Sequence, residues 1–319
     1  MCIRDRNAGA SITTGSYNCA FGAYALDAYT TGTNNNAFGY VALGKCTTGT
    51  NNAAFGRSAG QEVTTGGSNT LIGHDAAGNL STGDYNTCVG RSSGVGLTAG
   101  TRNTYVGSHT GDSANANDNT GIGYACLTNI SADANTNTCL GASAGFNVST
   151  GTNNLLLGYN AGTGSAPGGT VNNENNFVVL GNNNTTSLYC ADTSISSSDS
   201  RDKTDITDFT KGLDWIKALR PVTYRWDRRT WYGTDEQPYG TPDGSKKRSK
   251  LHIGFLAQEA LEIEKTHGYG SSKEDMLVVN LTPDEMSYGM KYERLVPVLV
   301  NAIKELSAEV EQLKSQLNN

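Results

Sequence analysis

The chain has seven cysteines but no CxxC pair and no cysteine–histidine spacing, so a zinc ribbon, a zinc finger or a disulfide framework is not its organising device. No stretch approaches the roughly 20 apolar residues that a helical membrane span needs. The first six residues, Met1-Cys2-Ile3-Arg4-Asp5-Arg6, lack the apolar core of a secretory signal. That hexapeptide also stands outside the repeat pattern that follows. It resembles a translated sequencing-adapter remnant, so residues 1–6 are read as a non-native or truncated start. Charge is scarce over most of the length: residues 1–190 hold only 6 of the 24 lysines and arginines and 9 of the 30 acids. A formal net charge of −6 offers no general attraction to nucleic acid or to an anionic membrane. Neither is expected as a partner, and no cofactor or metal is implied.

What fills the low-charge part is a repeat. Apolar–glycine pairs recur at Phe21-Gly22, Phe38-Gly39, Phe55-Gly56, Ile72-Gly73, Val89-Gly90, Val106-Gly107, Ile122-Gly123, Leu140-Gly141 and Leu157-Gly158. The period is 17 residues, with one interval of 16 and a compensating 18. An asparagine stands four residues before each glycine: Asn18, Asn35, Asn52, Asn69, Asn86, Asn103, Asn119, Asn137 and Asn154. A small residue generally follows three after it, as at Ala25, Ala42, Ala59 and Ala76. Most units carry a turn glycine seven before it, as at Gly15, Gly32, Gly49, Gly66, Gly83 and Gly151. This period is too short for helix-pair or propeller units. One apolar residue, a glycine and an alanine cannot bury a core alone, but stacked coils can, each covering the next. Repeated asparagines can then form hydrogen-bonded ladders along the stack. The reading is a β-solenoid or β-roll shaft, serving either as a host-binding surface or as a spacer. Cys19, Cys88 and Cys139 are read as small reduced core residues, and His74 and His109 as surface polar residues. Period is lost after Gly158; 163–193 reads as a linker with closing strands at Phe177–Leu180 and Leu188–Cys190.

The composition changes near residue 190. All three tryptophans and an ordinary charge balance lie beyond it. At the junction, Ser198-Asp199-Ser200-Arg201-Asp202-Lys203 sets a serine five residues before a lysine. Serine needs a base to become a nucleophile, and lysine serves when burial favours its neutral form. Spacing alone is weak support. The order of motifs adds to it: Ser198–Ile206, Gly212–Trp226, Ile253–Glu259 and Tyr292–Leu306. Together, over about residues 194–317, they closely resemble the intramolecular chaperone auto-processing domain at the C-terminus of phage tailspikes, tail fibres and endosialidases. The shaft repeats are similar to those of phage tail fibres and, more loosely, to the heads of trimeric autotransporter adhesins.

The resemblance implies a trimeriser that guides folding of the upstream shaft and then removes itself. The family's dyad maps to Ser198 and Lys203, with Ser197–Ser198 as the scissile bond. Asp202 departs from the aliphatic residue usual before the lysine, and a carboxylate there favours the charged lysine. Asp199 and Arg201 either position the turn or support the oxyanion; Gln258 and Glu259 are read as structural hydrogen-bonding groups. Beyond the junction the pattern predicts a helix over Gly212–Leu219, a strand over Val222–Trp226 and a loop over Tyr232–Lys250 with a solvated Lys246-Lys247-Arg248 tip. A strand or turn passing into a helix is expected over Ile253–Glu264, and strands over Asp275–Leu281 and Tyr288–Tyr292. Leu299, Ile303, Leu306, Val310, Leu313 and Leu317 alternate spacings of four and three, the seam of a coiled coil. Glu305, Glu309, Glu311 and Lys314 are read as charges around it, solvated or paired between chains.

The expected architecture is therefore a mainly β shaft, a trimeric β-solenoid of 17-residue repeats over 7–162, followed by an α+β domain over 194–319 with a trimeric coiled coil at 299–317. The expected role is a homotrimeric virion tail-fibre or appendage subunit, assembled in a bacterial cytoplasm, that meets a host-surface polysaccharide or protein. A non-cleaving structural adhesin is the main competitor. A bacterial surface adhesin would end in a membrane barrel. A transcription factor of the myelin regulatory factor type would need a DNA-binding domain and a membrane span. A polysaccharide-degrading fibre would need paired carboxylates.

Overall fold

The protein was analysed as a computed structural model, which describes residues 2–112, 115–166, 168–185, 187–188, 198–234, 237, 239–282 and 285–318. It divides into two compact units, Met1–Thr186 and Ser187–Asn319.

The first unit is a β-solenoid whose eleven short strands form one parallel sheet in sequence order. The strands are β1 (Cys2–Arg4), β2 (Cys19–Phe21), β3 (Asn36–Phe38), β4 (Ala53–Phe55), β5 (Thr70–Ile72), β6 (Thr87–Val89), β7 (Thr104–Val106), β8 (Thr120–Ile122), β9 (Thr138–Leu140), β10 (Leu155–Leu157) and β11 (Val178–Leu180). Each pairs with the next in unbroken register, including across the 16- and 18-residue intervals, where Thr104 meets Thr120 and Thr120 meets Thr138. Those length changes are absorbed in the turns.

From β2 to β11 the middle residue of each strand is the buried one. Ala20, Ala37, Ala54, Leu71, Cys88, Tyr105, Cys139 and Leu156 are fully buried, whereas Phe21, Phe55, Ile72, Ile122 and Leu140 stand about 40% exposed. The apolar residue of each apolar–glycine pair thus forms an outward row, because side chains alternate along a strand. Cys88 and Cys139 occupy the buried middle position, but Cys19 takes an outer one and is half-buried. The core is completed by residues three, four and seven after the glycine, such as Ala42, Leu43 and Cys46. Volumes are matched across it. Gly111 faces Tyr105, where an added Cβ would come within 2.5 Å of the ring, whereas strand residue Gly121 leaves room for Leu127.

The asparagines form the ladder expected of them. Each buried Asn Oδ1 accepts the backbone N–H of the next asparagine, as in Asn35 to Asn18 (2.9 Å) and Asn86 to Asn69 (2.9 Å). Each Nδ2 donates to a turn carbonyl of the following coil, as in Asn52 to Gly66 (2.8 Å) and Asn69 to Gly83 (2.9 Å). The asparagine and the turn glycine, separate signals in the sequence, are partners in space. The corner glycines form a second column: Gly90 has φ +131°, and a Cβ there would lie 2.5 Å from the Gly107 carbonyl oxygen.

The stack extends beyond the nine sequence units at both ends, and the closing strand expected at Phe177–Leu180 is present. Cys2–Arg4 joins the stack, its backbone pairing in parallel with Cys19–Phe21. After Gly158 the stack continues for one longer coil: β11 pairs with β10 across 23 residues, and the Phe177 N–H takes the place of an asparagine on Asn154 Oδ1 (2.9 Å). Of the second closing strand, Tyr189 and Cys190 lie outside the described residues.

The second unit contains helices α1 (Leu213–Ala218), α2 (Ala257–Thr266) and α3 (Leu295–Leu317), with two antiparallel pairs. In these, β12 (Val222–Tyr224) meets β13 (His252–Gly254) and β14 (Val279–Leu281) meets β15 (Tyr288–Met290). Trp215 of α1 is buried with Val278, Leu295 and Val298, its ring stacked on His267 at 4.8 Å. The first half of α3 is docked within its own chain. Asn301 Nδ2 donates to the Phe209 carbonyl (2.6 Å), and Glu305 Oε2 accepts the Leu213 N–H (2.7 Å). Glu305 is therefore an intrachain cap on α1 rather than a solvated or inter-chain charge, because α1 starts with unpaired N–H groups facing it. The opposite stripe of α3, Leu299, Ile303, Leu306, Val310, Leu313 and Leu317, is exposed.

Candidate active site at the junction

Ser198 and Lys203 flank a single 3-10 turn, Ser200–Asp202. Asp199 caps it, its Oδ1 accepting the Arg201 N–H at 2.9 Å. The Arg201 guanidinium closes on the same carboxylate, Nε to Oδ1 at 3.0 Å and Nη2 to Oδ2 at 2.6 Å. This pairing holds the Asp199 carboxyl below its ordinary range and raises the Arg201 guanidinium. The Lys203 N–H donates to the Ser200 carbonyl (3.3 Å), and the chain leaves the turn extended at Lys203. Its side chain then folds back, so that Lys203 Nζ donates to Ser198 Oγ at 2.7 Å. Asp199 and Arg201 thus act on the turn that brings the serine and lysine together. Among the described residues no other side chain hydrogen-bonds to Ser198 Oγ or Lys203 Nζ. Both residues are exposed. Ser197, on the other side of the bond singled out in the sequence, lies outside the described residues.

Gln258 and Glu259 are placed on the first turn of α2, both exposed. Glu259 forms a two-pronged ion pair with Arg220, Nε to Oε2 at 3.1 Å, which raises the Arg220 guanidinium. Neither residue hydrogen-bonds to Ser198 or Lys203.

The carboxylate that sequence reading missed is Glu264. It is fully buried and accepts three successive backbone N–H groups, from Leu277 (3.1 Å), Val278 (2.5 Å) and Val279 (2.8 Å). It thereby ties α2 to β14. Its signal was present: Glu264 falls on the same helix face as Ala257, Ala260 and Leu261, where a charge is unexpected.

The 225–250 loop is held by its own aromatic residues. Arg228 lies 4.2 Å from the Trp226 ring centre, Arg248 4.9 Å from Trp231, and Lys246 5.2 Å from Tyr232. Burial lowers the Arg228 guanidinium from its ordinary value. Lys246 and Arg248 are therefore tethered to the loop, while all of Lys246-Lys247-Arg248 is exposed, as expected of a solvated tip. Among the described residues no group of three or more histidines, cysteines and acids could hold a metal ion, and no helix is long and apolar enough to cross a membrane.

Residues 198–269 match the model of a family described as the chaperone of endosialidase. The match begins at the serine of the turn. No curated protein and no solved structure matches the chain. A β-solenoid followed by a chaperone-of-endosialidase segment fits a tail-fibre-type protein with a C-terminal chaperone.

Proposed function

We propose that this chaperone segment trimerises the chain, guides closure of the shaft, and then cuts itself free between Ser197 and Ser198, leaving residues 1–197 as a virion tail-fibre subunit that contacts a host surface. The observation that carries the reading is the 2.7 Å hydrogen bond between Lys203 Nζ and Ser198 Oγ, held by the Asp199–Arg201 turn at the start of the family match.

In the proposed reaction, Lys203 takes the Ser198 hydroxyl proton as Oγ attacks the Ser197 carbonyl carbon. The bond from that carbon to the Ser198 nitrogen breaks, the nitrogen gains a proton, and an ester joins Ser197 to Ser198 Oγ. Water hydrolyses the ester, leaving a carboxylate on Ser197 and a free amine on Ser198. Each chain reacts once. A base of this kind works neutral, which desolvation favours, yet both side chains are exposed in the single chain. Cover from a neighbouring copy supplies the missing burial, making cleavage follow assembly.

Two apolar strips support association of copies. One is the α3 stripe from Leu299 to Leu317, at coiled-coil spacing. The other is the outward row from Phe21 to Leu180 on the solenoid. With strands about 4.8 Å apart it runs for about 43 Å, a length of apolar surface that isolated proteins rarely leave open. A repeat shaft has near-equivalent registers one coil apart, so aligning three chains at one end before closure removes that ambiguity. Loss of the trimeriser afterwards closes the easiest route back.

The test is intact mass and denaturing electrophoresis of the expressed chain beside Ser198→Ala and Lys203→Ala. Fragments 1–197 and 198–319 from the wild type alone are expected. A wild type that stays whole while folded and trimeric would reduce the domain to a permanent trimeriser, the reading that exposure of the pair favours. Cleavage persisting in Lys203→Ala would remove the lysine from the mechanism.

A further inference from the structure

Charge on the shaft is sparse and mostly compensated. Lys45 pairs with Glu62 (2.7 Å) and Arg102 with Asp118 (2.6 Å), each across one coil. Beyond the first coil two arginines remain, Arg57 and Arg91, and neither guanidinium has an ion pair or hydrogen bond among the described residues. Both directly follow corner glycines, and so does His74 between them. The backbone places all three in one column. The Ser58 N–H donates to the Tyr40 carbonyl, Asp75 to Arg57, Ser92 to His74 and His109 to Arg91, each at 2.9–3.0 Å. The column therefore runs Tyr40, Arg57, His74, Arg91, Ser108, with Tyr124 one coil further, where the Ser143 N–H meets its carbonyl. Arg57, His74 and Arg91 are exposed, and the tyrosines at the two ends are 51% and 62% exposed. Adjacent acids are few: Asp75 is turned to His74 Nδ1 (3.0 Å) and Asp112 to His109 (3.4 Å).

We infer that this column is a binding site for a linear acidic polysaccharide lying along the shaft. Three cationic or protonatable groups stand on successive coils, about 4.8 Å apart. That step is commensurate with one sugar ring, so carboxylates on consecutive residues of a polymer meet Arg57, His74 and Arg91 in turn. Guanidinium groups suit carboxylates because their planar forks donate two parallel hydrogen bonds. The tyrosines at each end offer a flat apolar face with a hydroxyl beside it, which suits the apolar faces and hydroxyls of sugar rings. A net-acidic shaft with only three such groups is a poor match for a nucleic acid, whose backbone demands denser cationic cover. The column and the outward apolar row stand on either side of the corner glycines, as in Phe55-Gly56-Arg57. The inference deepens the host-contact part of the proposed function and does not depend on self-cleavage.

The test uses the intact chain carrying Ser198→Ala, so that cleavage plays no part. Binding of polygalacturonate, neutral dextran and oligothymidylate is measured by biolayer interferometry at two salt concentrations. One double variant, Arg57→Gln with Arg91→Gln, removes both guanidinium groups from the column. A second, Lys45→Gln with Arg102→Gln, removes the same charge elsewhere on the shaft. Salt-sensitive binding of polygalacturonate is expected, weakened about tenfold in the column variant and less than about threefold in the charge-matched one, with no binding of dextran. Equal losses in both variants, an unaffected column variant, oligothymidylate binding as tight as polygalacturonate, or no polygalacturonate binding would each overturn the assignment. Trimer formation and cleavage are scored separately on the wild-type chain, so failure of the site and failure of the fibre reading give different results.

Discussion

Removing one rung of the asparagine ladder should destabilise the shaft and leave the C-terminal unit alone. Asn86 is nearly fully buried. Its Oδ1 accepts from the Asn103 N–H at 3.0 Å and from Asn103 Nδ2 at 3.1 Å, while its Nδ2 donates to the Gly100 carbonyl at 2.8 Å. In Asn86→Ala the Asn103 side chain keeps its bond to the Ala116 carbonyl (2.7 Å). Two backbone groups, the Asn103 N–H and the Gly100 carbonyl, lose their partner in a dry interior. At about 1–3 kcal/mol for each stranded group, the loss is about 4 kcal/mol. Asn129 makes a single exposed bond to the Phe146 carbonyl, so Asn129→Ala should cost no more than about 0.5 kcal/mol. All three tryptophans lie in the second unit, which gives the two units separate probes in guanidinium unfolding of the Ser198→Ala chain. Far-UV circular dichroism follows the shaft, and tryptophan fluorescence follows the C-terminal unit. The dichroism transition should move to lower denaturant in Asn86→Ala with the fluorescence transition in place. A shift worth less than about 1 kcal/mol, or one matched by Asn129→Ala, would show that the ladder does not hold the coils together.

Glu264→Gln should do the reverse, costing the C-terminal unit about 1–3 kcal/mol in fluorescence-monitored unfolding with the shaft signal unmoved, because glutamine's single oxygen can still accept the Val278 and Val279 N–H groups but its NH2 then faces the donor of Leu277. Burial pushes the Cys88 thiol up from 9.0 to about 12. In the unfolded chain that thiol ionises first, so its contribution is whole below about pH 9 and lost as pH rises toward 12. Between pH 8 and 10.5 the wild-type shaft should lose about 2 kcal/mol more than Cys88→Ala, measured as the difference in dichroism midpoints. Leu306→Asp with Leu313→Asp places charges on the exposed α3 stripe, and sedimentation should show monomers; a trimer surviving both changes would put the association surface elsewhere.

Much of this was legible in the sequence because repetition is itself a structural statement. A nine-fold recurrence of asparagine, glycine and a small residue at one period admits few architectures, and the ladder and corner columns follow from it. Which apolar residue faces inward was not legible, because a three-residue strand is too short to show alternation. Phe21 and its equivalents stand outside, and the core row is the variable one, running Ala20, Ala37, Ala54, Leu71, Cys88 and Tyr105. Its variability is matched by glycine or leucine across the coil, a compensation visible only once both walls face each other. At the junction, the serine–lysine spacing was read from the chain, and the turn capped by Asp199 explains how five residues bring the two side chains together.

The sequence by itself determined the two-part plan and the period of the shaft. It also determined the order of motifs beyond the junction and the seam of the last helix, since each is a pattern along the chain and local spacing carries it. Tertiary structure decided what depends on residues distant in sequence becoming neighbours. Glu305 caps a helix 92 residues earlier, Glu264 is buried against a strand that the chain has yet to reach, and Arg57, His74 and Arg91 share a column. A charge has no meaning for binding or stability until its neighbours are known, and in a solenoid those neighbours lie one full coil away.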